Sequence, residues 1–379
     1  MFFDELPKLK IGEHEARIPM VLGGMAVGIS LSRLASAMAI EGGIGVIAAT
    51  GIGLYEPDFV WNNAESNMRA LRKQIRQARE KTSDILGVNI MVAVSDFDNL
   101  VRTSVEEGVD VLFMGAGLPL KMTEAITMDQ LRYGKTKMAP IVSSGRATRI
   151  IFDYWKRNFN HIPDAVVVEG PLAGGHLGFK VHQINDENYR LEKLLPDVIE
   201  IVDRFRQEFG KHIPVIAAGG IYSGEDMFKI MKQGVDGVQM ASRFIATHEC
   251  DASLAFKEAV VKCRKEDIMI IESPVGMPGR AIKNKFLENM KAGEMVPFYC
   301  PWKCLKGCEY EESPFCIALA LTNAEKGNFD LGFAFVGANA YKVDKIISVK
   351  ELIATIKEEY NQAAGNDLKY REPLKTHEQ

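Results

Sequence analysis

The stretch 213–243, IPVIAAGGIYSGEDMFKIMKQGVDGVQMASR, contains one complete strand–helix–strand unit. Two short apolar runs, 213–217 and 237–240, flank a segment of helical period over 224–233. The first run ends in Ala218-Gly219-Gly220, a turn where glycine lets a ligand approach the backbone. Strand, glycine turn, helix and strand in this order are typical of a parallel sheet.

The same rhythm extends over the first two thirds of the chain. The apolar runs show little polar alternation, which suits strands buried on both faces, and about eight such units are the number that closes a barrel. We therefore expect an α/β fold, a (β/α)8 TIM barrel, with an open doubly wound sheet as the alternative. The predicted strands are 18–22, 44–48, 86–92, 109–114, 139–142, 165–168, 213–217 and 237–240, and the predicted helices are 30–40, 64–79, 96–107, 147–155, 191–209 and 224–233.

The rhythm changes after Arg243. Helical periodicity continues at 252–264, 281–291 and 350–360, and the last stretch is polar. We predict a barrel over 1–243, a smaller C-terminal helical lid region over 244–360 that carries a cysteine cluster, and a flexible tail over 361–379.

Composition limits the class of protein. The 379 residues are 47% hydrophobic and 25% charged, as in ordinary globular proteins. A formal net charge of −4 provides no positive field for nucleic acid or an anionic membrane surface. We find neither a signal peptide nor an apolar stretch long enough to span a bilayer, so we expect a cytoplasmic protein.

Glycine and polar residues follow several predicted strands, at the end where TIM barrels build their active sites. The first strand ends in Gly23-Gly24-Met25, the third contains Asn89, and the fourth ends in Gly115-Ala116-Gly117. The turns after the last two strands are the usual phosphate site of such barrels, since backbone amides meet a helix N-terminus there. Arg243 has two interpretations, a phosphate ligand or a structural ion pair.

The stretch 169–178, EGPLAGGHLG, brings Glu169 and His176 onto one glycine-rich loop after the sixth strand. Histidine titrates near neutrality and suits general acid–base chemistry, and the glycines would let the loop lie flat against a planar ring. The alternative interpretation of His176 is an ordinary surface-loop histidine.

Taken together, these motifs resemble the nitronate monooxygenases, formerly called 2-nitropropane dioxygenases, and the related FMN-dependent enoyl-acyl-carrier-protein reductases. The resemblance spans roughly residues 15–360. It rests on GGMA at 23–26, VNIM at 88–91, GAG at 115–117, EGPLAGGHLG at 169–178, PVIAAGGI at 214–221, GVQMASRF at 237–244 and GRAIKN at 279–284.

The resemblance implies FMN as the cofactor, with His176 as the catalytic residue that faces the substrate. It implies Gly23 to Met25 along the flavin and Asn89 on its ring or ribityl chain. With the residues noted above, the predicted cofactor-binding set is Gly23, Gly24, Met25, Asn89, Gly115, Glu169, Gly174, Gly175, Ala218, Gly219, Gly220, Gln239, Met240 and Ser242.

Two reactions are compatible with the resemblance. The first is oxidation of alkyl nitronates with O2, and the second is NAD(P)H-dependent reduction of an enoyl thioester on an acyl carrier protein. A flavin-bearing electron carrier is a weaker alternative, whereas inosine-monophosphate dehydrogenases need a nucleophilic cysteine and none occurs before Cys250. The expected partner is a small-molecule substrate, and an acyl carrier protein or a second copy of the chain is also possible.

The chain departs from the family pattern twice. Pro171-Leu172 stands where the family commonly has a pair ending in Glu, which removes a second carboxylate. The other departure is YCPWKCLKGCEYEESPFC at 299–316, which we call the cysteine segment. Its spacing by four would align three thiols on a helix, and four thiolates suit an iron–sulfur cluster or a structural zinc, with free thiols as the alternative. The predicted metal ligands are Cys300, Cys304, Cys308 and Cys316.

Overall fold

The computed structural model describes residues 6–300 and 302–371, with side chains through residue 367. A short antiparallel hairpin, β1 (Leu9–Ile11) and β2 (His14–Ala16), precedes the barrel. The barrel strands are β3 (Met20–Leu22), β4 (Gly45–Ala48), β5 (Leu86–Met91), β6 (Val111–Gly115), β7 (Lys137–Val142), β8 (Val166–Glu169), β10 (Val215–Ala218) and β11 (Gly237–Met240).

These eight strands are parallel and form a closed ring. Hydrogen-bonded neighbours run in the order β3-β11-β10-β8-β7-β6-β5-β4. A parallel bridge between Val21 and Ile44 joins the two end strands, and Leu22 N donates to the Ile44 carbonyl at 3.0 Å. The predicted (β/α)8 barrel is therefore confirmed, and the open sheet is excluded because the two edges pair.

Helices cover the outside of the ring and the C-terminal region. Their apolar residues face the strands, which are buried along almost their whole length. The helices are α1 (Ser32–Ile40), α2 (Asn63–Arg79), α3 (Phe97–Glu106), α4 (Met128–Tyr133), α5 (Gly145–Phe159), α6 (Leu191–Phe209), α7 (Gly224–Met231), α8 (Ser242–Ile245), α9 (Leu254–Val261), α10 (Lys285–Lys291), α11 (Ile317–Glu325) and α12 (Val349–Arg371).

The C-terminal region contains a sheet in addition to the helices of the predicted helical lid region. A three-stranded antiparallel sheet, β9 (Gly175–His176), β12 (Ile268–Glu272) and β13 (Pro278–Ile282), lies over the barrel mouth. The predicted helix at 281–291 begins only at Lys285, since its first residues belong to β13. The cause is long-range pairing of β13 with β9, which no local period reveals.

The last helix is also longer than predicted. Helix α12 continues past 360 to Arg371, so the part of the predicted flexible tail before 372 is helical, and the rest lies outside the described residues. The helix docks on α7, where the Gly224 amide donates to Glu359 Oε2 at 2.7 Å. A Cβ at Gly224 would come within 2.0 Å of the Ile356 carbonyl oxygen, so glycine permits this contact. No helix of the described residues is long and apolar enough to cross a membrane.

Candidate active site

A cavity of about 320 Å³ lies at the carboxyl ends of the barrel strands. Loops from most of the strands and from the C-terminal region form its wall, as expected for the functional face of this fold. All the residues predicted to bind cofactor line it, together with His176. The strands thus bring together side chains that lie up to 219 positions apart in sequence, from Gly23 to Ser242.

Four glycines at the ends of the strands leave the floor of this cavity without side chains. We call Gly23, Gly24, Gly219 and Gly220 the glycine cradle. A Cβ at Gly24 would lie 2.3 Å from the Cβ of Asn89, and one at Gly23 would lie 2.8 Å from the Cβ of Ala241. Gly219 and Gly220 have φ of 92° and 91°, where side chains are strained. Any other residue in the cradle would either clash or distort the backbone.

One end of the cavity gathers backbone and hydroxyl groups. Gly337 N donates to Ser242 Oγ at 2.7 Å, and Asn339 Nδ2 donates to the Gly220 carbonyl at 2.6 Å. These contacts tie the loops after β10 and β11 to the segment 335–339 of the C-terminal region. Sequence reasoning missed Gly337 and Asn339, although the FVGAN stretch at 335–339 offers a glycine between apolar residues as a signal.

Arg243 is a structural ion-pair residue. Its Nη1 donates to the Tyr222 carbonyl at 3.0 Å and lies 3.3 Å from Glu359 Oε2, and its guanidinium stacks over the Tyr222 ring. The structure therefore favours the ion-pair interpretation of Arg243 over that of a direct phosphate ligand, and it leaves the backbone amides and Ser242 for that role.

Glu169 ends β8, is half-buried as a residue, and lines the cavity. No hydrogen bond to this carboxyl group exists among the described residues. Burial alone raises the pKa of Glu169 to about 7. At neutral pH the group is therefore divided between its neutral and charged forms.

His176 lies on β9, one residue after the glycine pair of the loop. Its Nε2 shares a hydrogen bond of 2.8 Å with Ser273 Oγ, and its ring meets the edge of Phe335 with centroids 5.0 Å apart. Burial lowers the pKa of His176 to about 4, so the imidazole is neutral at pH 7. Nδ1 has no partner among the described residues, which leaves one nitrogen for a ligand in the cavity.

Sequence reasoning also missed Ser273 and Phe335. Ser273 begins the turn that joins β12 and β13, and β13 pairs with β9 at His176 through Gly279. The hairpin therefore fixes the histidine backbone and its ring together. The SPVG stretch at 273–276 is an ordinary turn sequence, so nothing local connected it with a histidine 97 residues earlier.

The cysteine segment is not helical. Between Trp302 and Cys316 it forms turns and a single bridge, from Leu305 to Val94. Lys303 has φ of 43°, and Gly307 and Pro314 interrupt any helical run. The helical alignment of thiols that their spacing suggested is therefore wrong.

The segment docks instead on the loop after β5, where Lys306 N donates to the Ala93 carbonyl and Ser95 N to the Cys304 carbonyl. Cys304 lines the cavity, whereas the other three thiols lie outside its wall. Within 6–300 and 302–371 no group of three or more His, Cys, Asp or Glu stands in a metal-binding arrangement. The metal ligands named from sequence thus remain a prediction.

The cavity fits the flavin mononucleotide that the resemblance implies. A planar ring needs a floor without side chains, which the glycine cradle supplies, and the single cluster of amides and hydroxyl at Ser242 and Gly337 suits one phosphate. Asn89 and Glu169 add polar groups at the ring end. The residues present are compatible with FMN.

The chain is similar to known proteins over most of its length. Probable nitronate monooxygenases of Staphylococcus haemolyticus and Staphylococcus aureus strain Newman are each 26% identical to the chain, covering 74% and 73% of it and 80% and 78% of their own lengths. The solved structure of FabK from Thermotoga maritima has a TM-score of 0.70 at 30% identity, covering 94% of this chain and 96% of that one.

A nitroalkane oxidase structure from Streptomyces ansochromogenes has a TM-score of 0.70 at 21% identity, covering 93% of this chain and 98% of that one, and supports the fold alone. The family model for nitronate monooxygenase matches residues 9–359, which include every strand of the barrel and the lid sheet. The chain belongs to the nitronate monooxygenase family.

Proposed function

We propose that the protein is an FMN-dependent oxidoreductase that oxidises alkyl nitronates with O2, and that His176 generates the nitronate from a neutral nitroalkane. The observation that carries this proposal is a neutral, buried imidazole with one open nitrogen in a cavity that fits a flavin. A neutral imidazole accepts protons, and the α-hydrogen of a nitroalkane is the acidic hydrogen of that molecule.

Each group in the cavity has a defined task in this proposal. His176 Nδ1 accepts the α-proton, and Ser273 holds the ring so that the lone pair faces the substrate. The cation formed on His176 lies beside the nitronate anion, and this pairing offsets the cost of charging a buried imidazole. FMN, when bound, supplies the redox chemistry that oxidises the nitronate and reacts with O2.

Reduction of an enoyl thioester with NAD(P)H is the second candidate, with an acyl carrier protein as the partner. Two observations favour it. The cavity has an apolar wall from Leu54, Phe59, Ile317 and Leu321 that suits an acyl chain, and Glu169 with its pKa raised to about 7 is a proton donor near neutrality. The neutral state of His176 counts against it, because this reaction ends with protonation of a carbanion.

Anaerobic reduction of the flavin separates the two candidates. NADPH, NADH and a nitronate are mixed in parallel with the FMN-loaded protein, and bleaching of the flavin absorbance is followed by stopped flow. The first proposal expects the nitronate to deliver electrons fast and both nicotinamides slowly. Fast reduction by a nicotinamide, with none by the nitronate, would establish the second candidate instead.

We also propose that the cysteine segment holds an iron–sulfur cluster or, failing that, a zinc ion. Burial raises the pKa of Cys304 to about 12 and raises the pKa of Cys308 and Cys316, and the charge of neighbouring thiols adds to each shift, so these sulfurs are near enough to interact. Cys300 and Cys316 are buried, and the Trp302 indole Nε1 of the same segment is buried without a partner in the described chain. A metal would draw the thiolates into coordination and stabilise a long irregular segment.

Metal analysis of anaerobically purified protein tests this second proposal. We expect iron with acid-labile sulfide, or zinc, at about one site per chain, and a lower content in Cys304→Ala. Cys263→Ala is the matched control, because Cys263 is buried far along the chain from the cluster. Protein made with iron and zinc supplied that contains neither metal would contradict the proposal.

A further inference from the structure

Arg280 is a buried arginine on β13 whose charge has no carboxylate partner. It is 4% exposed, and Nη1 donates to the Pro171 carbonyl at 2.7 Å and to the Ala173 carbonyl at 2.5 Å. No Asp or Glu of the described residues forms an ion pair with it. Both acceptors belong to the glycine-rich loop between Glu169 and His176, so the guanidinium grips that loop from the side of the lid sheet.

The two hydrogen bonds fix the direction of two peptide groups. In a trans peptide the C=O of one residue and the N–H of the next point to opposite sides. Because the Pro171 and Ala173 carbonyls point to Arg280, the N–H groups of Leu172 and Gly174 point away from it. Neither N–H has an acceptor elsewhere in the described part of the chain, and both residues line the cavity.

The Leu172 and Gly174 amides lie at the end of the cavity that contains Ser242 and Gly337, where we expect the FMN phosphate. A Cβ at Gly174 would lie 2.6 Å from Gly337 N, which itself donates to Ser242 Oγ. A Cβ at Gly220 would lie 3.0 Å from Leu172 Cβ. Two unpaired amides therefore lie beside the Ser242 hydroxyl and the cradle, an arrangement of convergent donors that suits an anion.

We infer that Arg280 is a positioning residue that orients the Leu172 and Gly174 amides to bind the phosphate of FMN. This inference rests on the FMN site of the proposed function, in which Gly174 is already an expected ligand, and it adds the Leu172 amide and the residue that orients both amides. Arg280 polarises the two peptide groups whose carbonyls it binds, which makes the N–H groups of those peptides stronger donors. Because no carboxylate of the described residues pairs with Arg280, the phosphate is the anion that offsets its charge.

The charge of Arg280 is consistent with this role. Burial lowers the pKa of its guanidinium to about 10, which still leaves it charged at pH 7. A buried charge without a counter-ion is costly. An anion bound to the Leu172 and Gly174 amides, on the opposite side of the two peptide groups from Arg280, reduces that cost. Phosphate bound there would then be stabilised by the same charge.

Binding of FMN and riboflavin to the apoprotein tests the inference, because the two ligands differ by the phosphate. In Arg280→Met we expect FMN to bind about 10- to 150-fold more weakly, the range for losing hydrogen bonds to a charged group, while riboflavin binding changes less than about threefold. Arg280→Lys should recover part of the FMN affinity. Arg132→Met is the matched control, since Arg132 also binds a carbonyl, that of Phe159, away from the cavity.

An equal loss for both flavins, or no loss for FMN, would overturn the inference. A measurement on the wild-type protein covers the case in which Arg280→Met does not fold. The amide NMR signals of Leu172 and Gly174 should shift on addition of FMN and stay in place with riboflavin. Signals that do not respond to FMN, or respond equally to riboflavin, would overturn it as well. Neither result depends on turnover of a nitro compound, so the proposed reaction can fail separately.

Discussion

The glycine cradle and the cysteine segment face the same cavity but are built by different means. The cradle lies at the ends of buried parallel strands. A Cβ at Gly24 would lie 2.3 Å from the Cβ of Asn89, so only glycine fits there. The cysteine segment has no helix or strand of its own in its described part and is attached through backbone hydrogen bonds to the loop after β5. The conformation of the glycine cradle is determined by steric limits, whereas the position of the cysteine segment depends on a few hydrogen bonds.

The largest effect should follow from removing His176. We expect His176→Ala to lower turnover of a neutral nitroalkane by about 10²- to 10⁴-fold, since a positioned proton acceptor is lost, while FMN stays bound. Nitrite release under saturating O2 measures turnover, and the flavin spectrum measures binding. Turnover within about threefold of wild type would show that His176 is only a loop residue.

The next prediction compares a glycine of each region. Gly24→Ala forces a Cβ against Asn89, and overpacking of about 1–3 kcal/mol corresponds to FMN binding weakened by roughly 5- to 150-fold. Gly307→Ala, in the cysteine segment, meets no atom within 4 Å and should leave FMN affinity unchanged. Similar affinities for the two variants would remove the steric distinction between the regions.

A third prediction concerns the attachment of the cysteine segment. Leu305 is 9% exposed and bridges to Val94, so Leu305→Ala removes an apolar anchor of the segment. We expect faster hydrogen exchange at the amides of Ser95 and Lys306, which cross between the two segments, with the barrel strands protected as before. Global loss of protection in β5 and β6 would contradict the view that the segment is an attachment to a self-sufficient barrel.

The smallest effect should appear in the pH dependence of stability. Glu169 binds its proton more tightly in the folded protein, so its contribution is fully present below its unfolded pKa near 4.5 and is lost as pH rises through about 7. Glu169→Gln should therefore flatten the decline of the urea midpoint between pH 5 and 8. An unchanged slope in the variant would show that another group causes the decline.

The sequence predicted the barrel well because its signals are local. Eight apolar runs and the glycines after them mark strands and turns directly, and all the residues predicted to bind cofactor do line the cavity. The pairing of β13 with β9 was missed because it joins residues about a hundred positions apart, whereas β12 and β13 form a local hairpin whose second strand was read as the start of a helix. For the same reason Ser273 and Arg280 had no visible connection with the loop they hold.

In the cysteine segment a conspicuous sequence pattern led to a wrong structural prediction. Its spacing is conspicuous in the sequence, yet the chain there follows turns and one bridge to Val94 rather than a helix. A spacing argument needs a regular element, and a stretch with Pro301, Gly307 and Pro314 does not form one. What the four thiols bind is therefore decided by tertiary contacts and by metal analysis, not by their period.

In the proposed reaction His176 removes the α-proton of a nitroalkane before the flavin is reduced. The most direct measurement is anaerobic flavin reduction in His176→Ala with a neutral nitroalkane and with the same compound supplied as its preformed nitronate. We expect a rate constant at least about a hundredfold below wild type for the nitroalkane, and one within about tenfold for the nitronate, because the nitronate has already lost its α-proton. Equal losses with both forms would show that His176 is not the group that removes the proton.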